Sequence, residues 1–194
     1  METQCQHLTM TQRNELLQLL QKFKELFDGT LVTWKIYSVD FELKENTKPI
    51  CSRLYTVQKV HEDFFKEVER LVLLGVLEVA NDSEWGASSF AQTKHKLNLV
   101  RFLSESRNQD KKLKRKPYPI PKINEMLLKL EGFQYAASLD LNMGYYHIRL
   151  SEKSINLCTI ILTWVKYQYK RLPMGVVNSP EIFQNKMNDL FHGF

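Results

Sequence analysis

The stretch KPYPIPKINEMLLKLEGFQYAASLDLNMGYYHIRL at residues 116–150, with YKRLPMGVVNSPEIFQNKM at residues 169–187, contains the patterns that decide the fold. Its alternating prolines hold the residues between them in an extended conformation, because a residue that precedes proline avoids the helical region. The prolines lead into a predicted helix at 123–130. The segments YAASLDL, YYHIRL, NLCTIIL and KYQYKRL then predict four short antiparallel strands, and SPEIF predicts the start of a last helix.

The residues before this stretch add helices and strands in mixed order. Helical spacing of apolar residues predicts an amphipathic helix at 11–27 and a second helix at 60–78, in which Gly75 is placed to end the helix in a left-handed conformation. Alternation predicts a strand at 39–43, and β-compatible residues predict a hairpin at 90–103 with no defined register. This order favours an α+β fold with an antiparallel sheet and packed helices.

Composition limits the class of protein. The chain has 194 residues, of which 43% are hydrophobic and 25% are charged, values typical of a globular protein with a sizeable core. No apolar run approaches the ~20 residues that a membrane span needs, and no secretion signal is recognisable. We therefore expect an intracellular protein without a membrane partner, in either the cytoplasm or the nucleus. The three cysteines are widely spaced, which indicates neither disulfides nor a zinc site.

Positive charge is concentrated in one segment. The net charge is +5, whereas residues 107–122 contain seven basic residues and one acid, Asp110, a local balance of +6. Such a segment is suited to contact a nucleic-acid backbone without reading its sequence. A solvated charged surface is an equally good interpretation. The candidate binding residues are Arg107, Lys111, Lys112, Lys114, Arg115 and Lys116.

Asp140 is the one acid enclosed by apolar, strand-like residues, with Leu139 before it and Leu141 after it. Burying a carboxylate costs on the order of several kcal/mol unless a metal, a cation or hydrogen-bond donors compensate. Asp140 is therefore a candidate catalytic residue. It is an equally good candidate for a residue that caps a turn at a strand end, and one acid specifies no reaction.

Taken together, the two quoted blocks resemble the reverse transcriptases of gypsy-type long-terminal-repeat retrotransposons. The similarity extends over roughly residues 16–194 and includes FKELFDGTL, VERLVLLGVLEVANDSEWGASSF and VRFLSESRN. It implies the fingers and part of the palm of a right-hand polymerase. Residues 1–30 would then form a connector with an amphipathic helix, residues 31–132 a fingers-like region with the basic segment, and residues 133–194 a partial palm.

The resemblance also implies nucleotidyl transfer with two Mg²⁺ ions. In the family the ions rest on three aspartates, of which Asp140 matches the first, and Leu141 would add its backbone carbonyl. The other two belong to an aromatic-x-Asp-Asp hairpin, but the dipeptide Asp-Asp does not occur in this chain. One carboxylate cannot hold two divalent ions ~3.5–4 Å apart. We therefore expect a fragment that ends before that hairpin, binds Mg²⁺ weakly or not at all, and is inactive by itself. Rescue by Glu181 or Asp189 is not expected.

The resemblance further implies a nucleotide site. Arg101 matches the arginine that holds the triphosphate, with Lys94 or Lys96 as its companion, and guanidinium suits phosphate. Tyr145 matches the aromatic residue that excludes a 2′ hydroxyl, and Met174-Gly175 matches the segment that lines the nucleotide pocket. The alternatives are ordinary surface cations and ordinary strand aromatics.

The partners implied for the intact enzyme are an RNA or DNA template–primer, a deoxynucleotide triphosphate, and the remaining polymerase and RNase H portions. The alternative function is a nucleic-acid-binding remnant without catalysis, and a third possibility is an interaction scaffold that associates through exposed apolar surface.

Overall fold

The computed structural model describes residues 5–34, 38–53, 62–94, 99–128, 132 and 137–192, with the backbone alone at 91–94 and 99–101. Its residue contacts divide the chain into two compact units, Met1–Val32 and Thr33–Phe194. Among the described residues, no helix combines the length and the apolar character that crossing a membrane requires.

From residue 5 onward, where it is described, the first unit contains helix α1 (Met10–Lys22) and a 3-10 turn at Lys24–Phe27. A capping box begins α1: the Thr9 hydroxyl accepts the Gln12 N–H at 3.3 Å, and the Gln12 side chain accepts the Thr9 N–H at 3.0 Å. The predicted helix at 11–27 is therefore present, but its last turn tightens into 3-10 geometry.

The second unit is a mixed α+β structure, as the element order predicted. Its helices are α2 (Glu62–Leu73), α3 (Arg107–Asp110), α4 (Ile123–Leu128), α5 (Glu152–Leu157) and α6 (Ser179–Phe191). Its strands are β1 (Ser38–Val39), β2 (Leu77–Val79), β3 (Ala87–Lys94), β4 (Leu99–Glu105), β5 (Arg149–Leu150), β6 (Thr159–Ile161) and β7 (Lys166–Tyr169).

Five strands form the main sheet in the order β2-β7-β6-β3-β4. The pairings are antiparallel except between β3 and β6, which run parallel. β1 and β5 form a separate parallel pair. The main sheet takes strands from both sides of the predicted boundary at residues 132/133. The three-part division of the chain stays a prediction.

Helix α2 covers the sheet with one apolar face. Phe64, Val68 and Leu71 recur at helical spacing and are buried, with the Phe64 ring 5.3 Å from the Phe102 ring of β4. Each such side chain contributes roughly 1.5–3 kcal/mol when fully buried. The helix stops before Gly75, which has a φ of +65°, a conformation that glycine adopts at little cost. The helix predicted at 60–78 therefore ends earlier than expected, and β2 follows it.

The segment around Asp140 differs from its prediction. Residues 137–141 form no strand among the described residues, and the Leu139 and Leu141 side chains are 80% and 44% exposed. Asp140 is likewise exposed rather than enclosed. The alternating pattern indicated a strand, but a strand also needs a neighbour for its backbone hydrogen bonds, and none is found for this segment within the described parts of the chain.

Candidate functional site

A 3-10 turn at Gly144–His147 presents Tyr145. Met143 precedes the turn in the left-handed conformation (φ 53°), and its carbonyl accepts the Tyr146 N–H at 2.8 Å. A side chain also holds the turn, because the Arg171 guanidinium donates to the Tyr146 carbonyl at 3.1 Å. These contacts fix the backbone on which Tyr145 stands.

The Tyr145 ring lies against α6. Its centroid is 4.8 Å from that of Phe183 at an interplanar angle of 45°, and Phe183 in turn stacks on Trp34 at 6.5 Å. A Cβ at Gly144 would lie 3.1 Å from the Phe183 ring, so this glycine allows the turn to approach the ring closely. Burial, and then the charge of Glu181, raise the pKa of the Tyr145 hydroxyl. The ring is therefore held in place against α6.

The segment that matches the pocket-lining turn packs on the end of β4. Met174 is exposed, whereas a Cβ on Gly175 would lie 2.8 Å from the Ser104 carbonyl oxygen. That oxygen belongs to the backbone and cannot easily move, so Gly175 is needed for packing irrespective of any ligand. Two residues further on, the Val177 N–H donates to the Asp110 carboxylate at 3.0 Å.

The β3–β4 hairpin confirms the predicted strand pair and defines its register. Arg101 pairs with Gln92 and Lys94 with Leu99. The two candidate triphosphate residues thus belong to one hairpin. Lys96 lies outside the described residues.

Most candidate cations of the basic segment contact carboxylates. The Arg107 Nε donates to Glu105 at 2.8 Å, and the Lys116 ammonium lies 2.6 Å from Glu42. Lys114 approaches Glu42 at 4.0 Å. The hydrogen bond and charge of Lys116 hold the pKa of Glu42 below its usual value. Lys111 is exposed and Lys112 half-buried.

The ion pair between Arg115 and Glu181 joins the basic segment to α6. Their closest atoms are 2.9 Å apart, and the Glu181 side chain is only 7% exposed. The Asn178 amide also donates to the Lys114 carbonyl at 2.9 Å. Sequence reasoning missed this junction, since no local pattern relates residues so far apart. The only feature of the sequence that pointed to this junction was Glu181 itself, an acid near the start of a predicted helix with an apolar face.

Residues 92–194 match the family model described as Reverse transcriptase (RNA-dependent DNA polymerase), and the chain belongs to this family. Its relatives include Pol polyproteins of the long-terminal-repeat retrotransposon type. The Pol polyprotein of transposon 297 from Drosophila melanogaster is 27% identical over 191 residues, 95% of this chain and 18% of the relative. That of transposon gypsy, from the same organism, is 30% identical over 173 residues, 84% of this chain and 16% of the relative. The chain thus spans less than a fifth of these relatives.

Solved structures show the same fold. A prototype foamy virus protease–reverse transcriptase mutant superposes with a TM-score of 0.85 at 21% identity, covering 95% of this chain and 25% of that one. A foamy viral protease–reverse transcriptase in complex with an RNA/DNA hybrid also superposes with a TM-score of 0.85. It is 19% identical, and the match covers 96% of this chain and 25% of that one. The predicted α+β fingers and palm fold is therefore confirmed.

The family generally uses Mg²⁺, but the described residues do not fit a two-metal site. They include no group of three or more His, Cys, Asp or Glu side chains placed to bind a metal ion. Glu181 contacts Arg115, and Asp189 lies 3.2 Å from the Lys186 ammonium. Asp140 stands exposed on its segment and belongs to no such group of described residues.

Proposed function

We propose that this chain is the fingers and early palm portion of an RNA-directed DNA polymerase, and that by itself it binds template–primer nucleic acid without transferring nucleotides. The observation that carries the proposal is the family match over residues 92–194. The foamy viral protein of the same fold was solved with an RNA/DNA hybrid, which supports nucleic acid as the partner.

In the intact polymerase, the roles follow from the chemistry of the side chains. Arg101 and Lys94 would bind the triphosphate, and Tyr145, held against Phe183, would exclude a 2′ hydroxyl by its bulk. Met174 and Gly175 would line the nucleotide pocket. These assignments rest on the positions of the residues in the family motifs.

Catalysis in the intact enzyme requires further carboxylates beside Asp140 and the carbonyl of Leu141. Because Asp-Asp does not occur in this sequence, we infer that the two Mg²⁺ ions of the family are not held by this chain alone. What this chain contributes is the binding and orientation of substrate.

A primer-extension assay tests the proposal. We expect the purified chain to bind a labelled template–primer at low salt and to add no nucleotides in Mg²⁺ with all four deoxynucleotides, while an active reverse transcriptase extends the same primer. The Asp140→Asn variant should bind equally well. Extension by the wild-type chain that Asp140→Asn abolishes would show instead that the chain is a polymerase by itself.

A non-catalytic remnant is the alternative, and transcript sequencing distinguishes it. An in-frame aromatic-x-Asp-Asp motif past the codon for Phe194 supports the polymerase fragment. A stop codon there supports a stand-alone binding protein.

A further inference from the structure

We propose that the nucleic-acid backbone binds at a cluster of three lysines, Lys44, Lys111 and Lys112, rather than along the whole basic segment. This inference rests on the nucleic-acid binding of the proposed function and identifies where the phosphates contact the chain. Lys44 lies outside the basic segment in sequence, and no motif marks it.

Backbone pairing brings Lys44 beside Lys111 and Lys112. Leu43 and Leu113 form an antiparallel bridge, and the Lys44 N–H donates to the Lys112 carbonyl at 2.9 Å. The Lys44 ammonium donates to the Lys111 carbonyl at 2.9 Å. An ammonium has three N–H donors, so Lys44 retains two for a phosphate oxygen.

The turn that follows Lys44 keeps it in this position. The Thr47 hydroxyl donates to the Lys44 carbonyl at 2.6 Å, and Asn46 reverses the chain with a φ of 56°. Asparagine adopts this left-handed conformation more readily than most residues. Lys44 is therefore exposed on a fixed turn rather than on a free loop.

Other cations of the basic segment already contact carboxylates. Lys114 and Lys116 share the carboxylate of Glu42, and Arg115 contacts Glu181. A lysine that already neutralises a carboxylate must exchange that partner for a phosphate, so it adds little net attraction. Within the described residues, by contrast, Lys44, Lys111 and Lys112 form no salt bridge with an acid.

The acids adjacent to the cluster in sequence do not neutralise it. The Asp110 carboxylate, adjacent to Lys111 in sequence, accepts the Val177 N–H. Glu45 follows Lys44 and is exposed on the same turn, where it forms no ion pair with the described residues. Three ammonium groups against these two carboxylates still leave a net charge of +1, and the phosphodiesters of a nucleic acid carry the opposite charge.

A comparison of two double variants tests the inference. Lys44→Gln/Lys112→Gln and Lys114→Gln/Lys116→Gln each remove two positive charges, so their formal net charges are equal. Binding of a labelled RNA/DNA duplex is measured by fluorescence anisotropy from about 50 to about 200 mM NaCl, with circular dichroism as the check on folding. Each phosphate contact contributes roughly 0.9 to the slope of log affinity against log salt.

We expect the Lys44/Lys112 variant to lose about 1.8 of this slope, and the Lys114/Lys116 variant to lose less than about 0.5. Equal losses in the two folded variants, or a larger loss in the second, would overturn the cluster while leaving nucleic-acid binding intact. If the wild-type chain binds no duplex at the lowest salt, the proposed binding function fails, and the cluster fails with it.

Discussion

At the scale of single residues, Glu181 is a buried acid whose charge depends on one partner, Arg115. Its side chain is almost completely buried, and one of its carboxylate oxygens has no hydrogen-bond partner among the described residues. Arg115 supplies the compensating charge from the basic segment. A buried charge whose partner is removed is left in a medium that solvates it poorly.

We predict that Arg115→Gln lowers the free energy of unfolding by about 1–2 kcal/mol. Breaking a fully buried pair costs about 3–5 kcal/mol, but the Arg115 side chain is 65% exposed, and water screens part of the interaction. Urea denaturation followed by circular dichroism measures the change. The double variant Arg115→Gln/Glu181→Gln should recover most of the loss, because it removes the stranded charge.

The exposed pair of Lys122 and Glu125 provides the matched control. Its atoms are 3.6 Å apart and both side chains are mostly in water, so Lys122→Gln is expected to change stability by less than about 0.5 kcal/mol. An equal effect of Lys122→Gln and Arg115→Gln would mean that burial of Glu181 does not matter to the fold.

The sequence motifs identified candidate site residues, but they did not predict the local conformation or the burial of those residues. The position of Tyr145 on a short turn could not be read from YYHIRL, because the turn depends on the left-handed Met143 and on contact with Phe183, distant in sequence. Asp140 was predicted to be enclosed and is exposed, since neighbours in sequence do not determine burial when the segment lacks a strand partner. The role of both residues stays a prediction.

At the scale of elements, helix α3 is joined to the loop before α6 by one carboxylate. The half-buried Asp110 accepts the Val177 N–H, and burial raises the pKa of Asp110 above its ordinary value of 3.8, with the hydrogen bond opposing the shift. An acid whose pKa is higher in the folded state binds its proton more tightly there than in the unfolded chain. Its ionisation therefore opposes folding as the pH rises.

We predict that Asp110→Asn gains stability relative to the wild type as the pH rises from below 3.8 through the raised pKa of the folded state. Asparagine keeps an oxygen that can accept the Val177 N–H but has no proton to lose. Urea unfolding of both proteins across this pH range measures the difference in the free energy of unfolding. Asp28→Asn is the control, because hydrogen bonds from Thr30 lower the pKa of that exposed acid. A difference that moves the other way would show that the hydrogen bond outweighs burial.

The elements that sequence predicted well are those whose pattern matches local structure over several turns. The apolar face of α2 was recovered because its periodicity reflects burial on one side. The β3–β4 hairpin was recovered because its residues favour strands. The segment 156–162 was predicted as one strand, but α5 ends within it and β6 follows. Ser151 accepts the Ser154 N–H and starts that helix, a capping contact that the apolar run concealed.

At the scale of the whole molecule, the distribution of charge bears on the proposed nucleic-acid partner. The net charge of +5 is concentrated in residues 107–122, and contacts with Asn178 and Glu181 join this segment to the start of α6. Lysine contacts to phosphate carry no information about base sequence. The family fold could be predicted from sequence because several motifs occur in order, whereas the compensation of individual cations required the structure.

We predict that the chain binds unrelated duplexes of equal length with affinities that agree within about threefold, because contacts to the backbone do not distinguish bases. Two RNA/DNA hybrids of shuffled sequence, titrated at one salt concentration and read by fluorescence anisotropy, provide the measurement. Raising the salt from about 50 to about 200 mM should weaken both equally, by roughly 3.5-fold for every phosphate contact. A preference above about tenfold for one sequence would instead require side chains that reach base edges, and the lysine cluster could not then be the main determinant of binding.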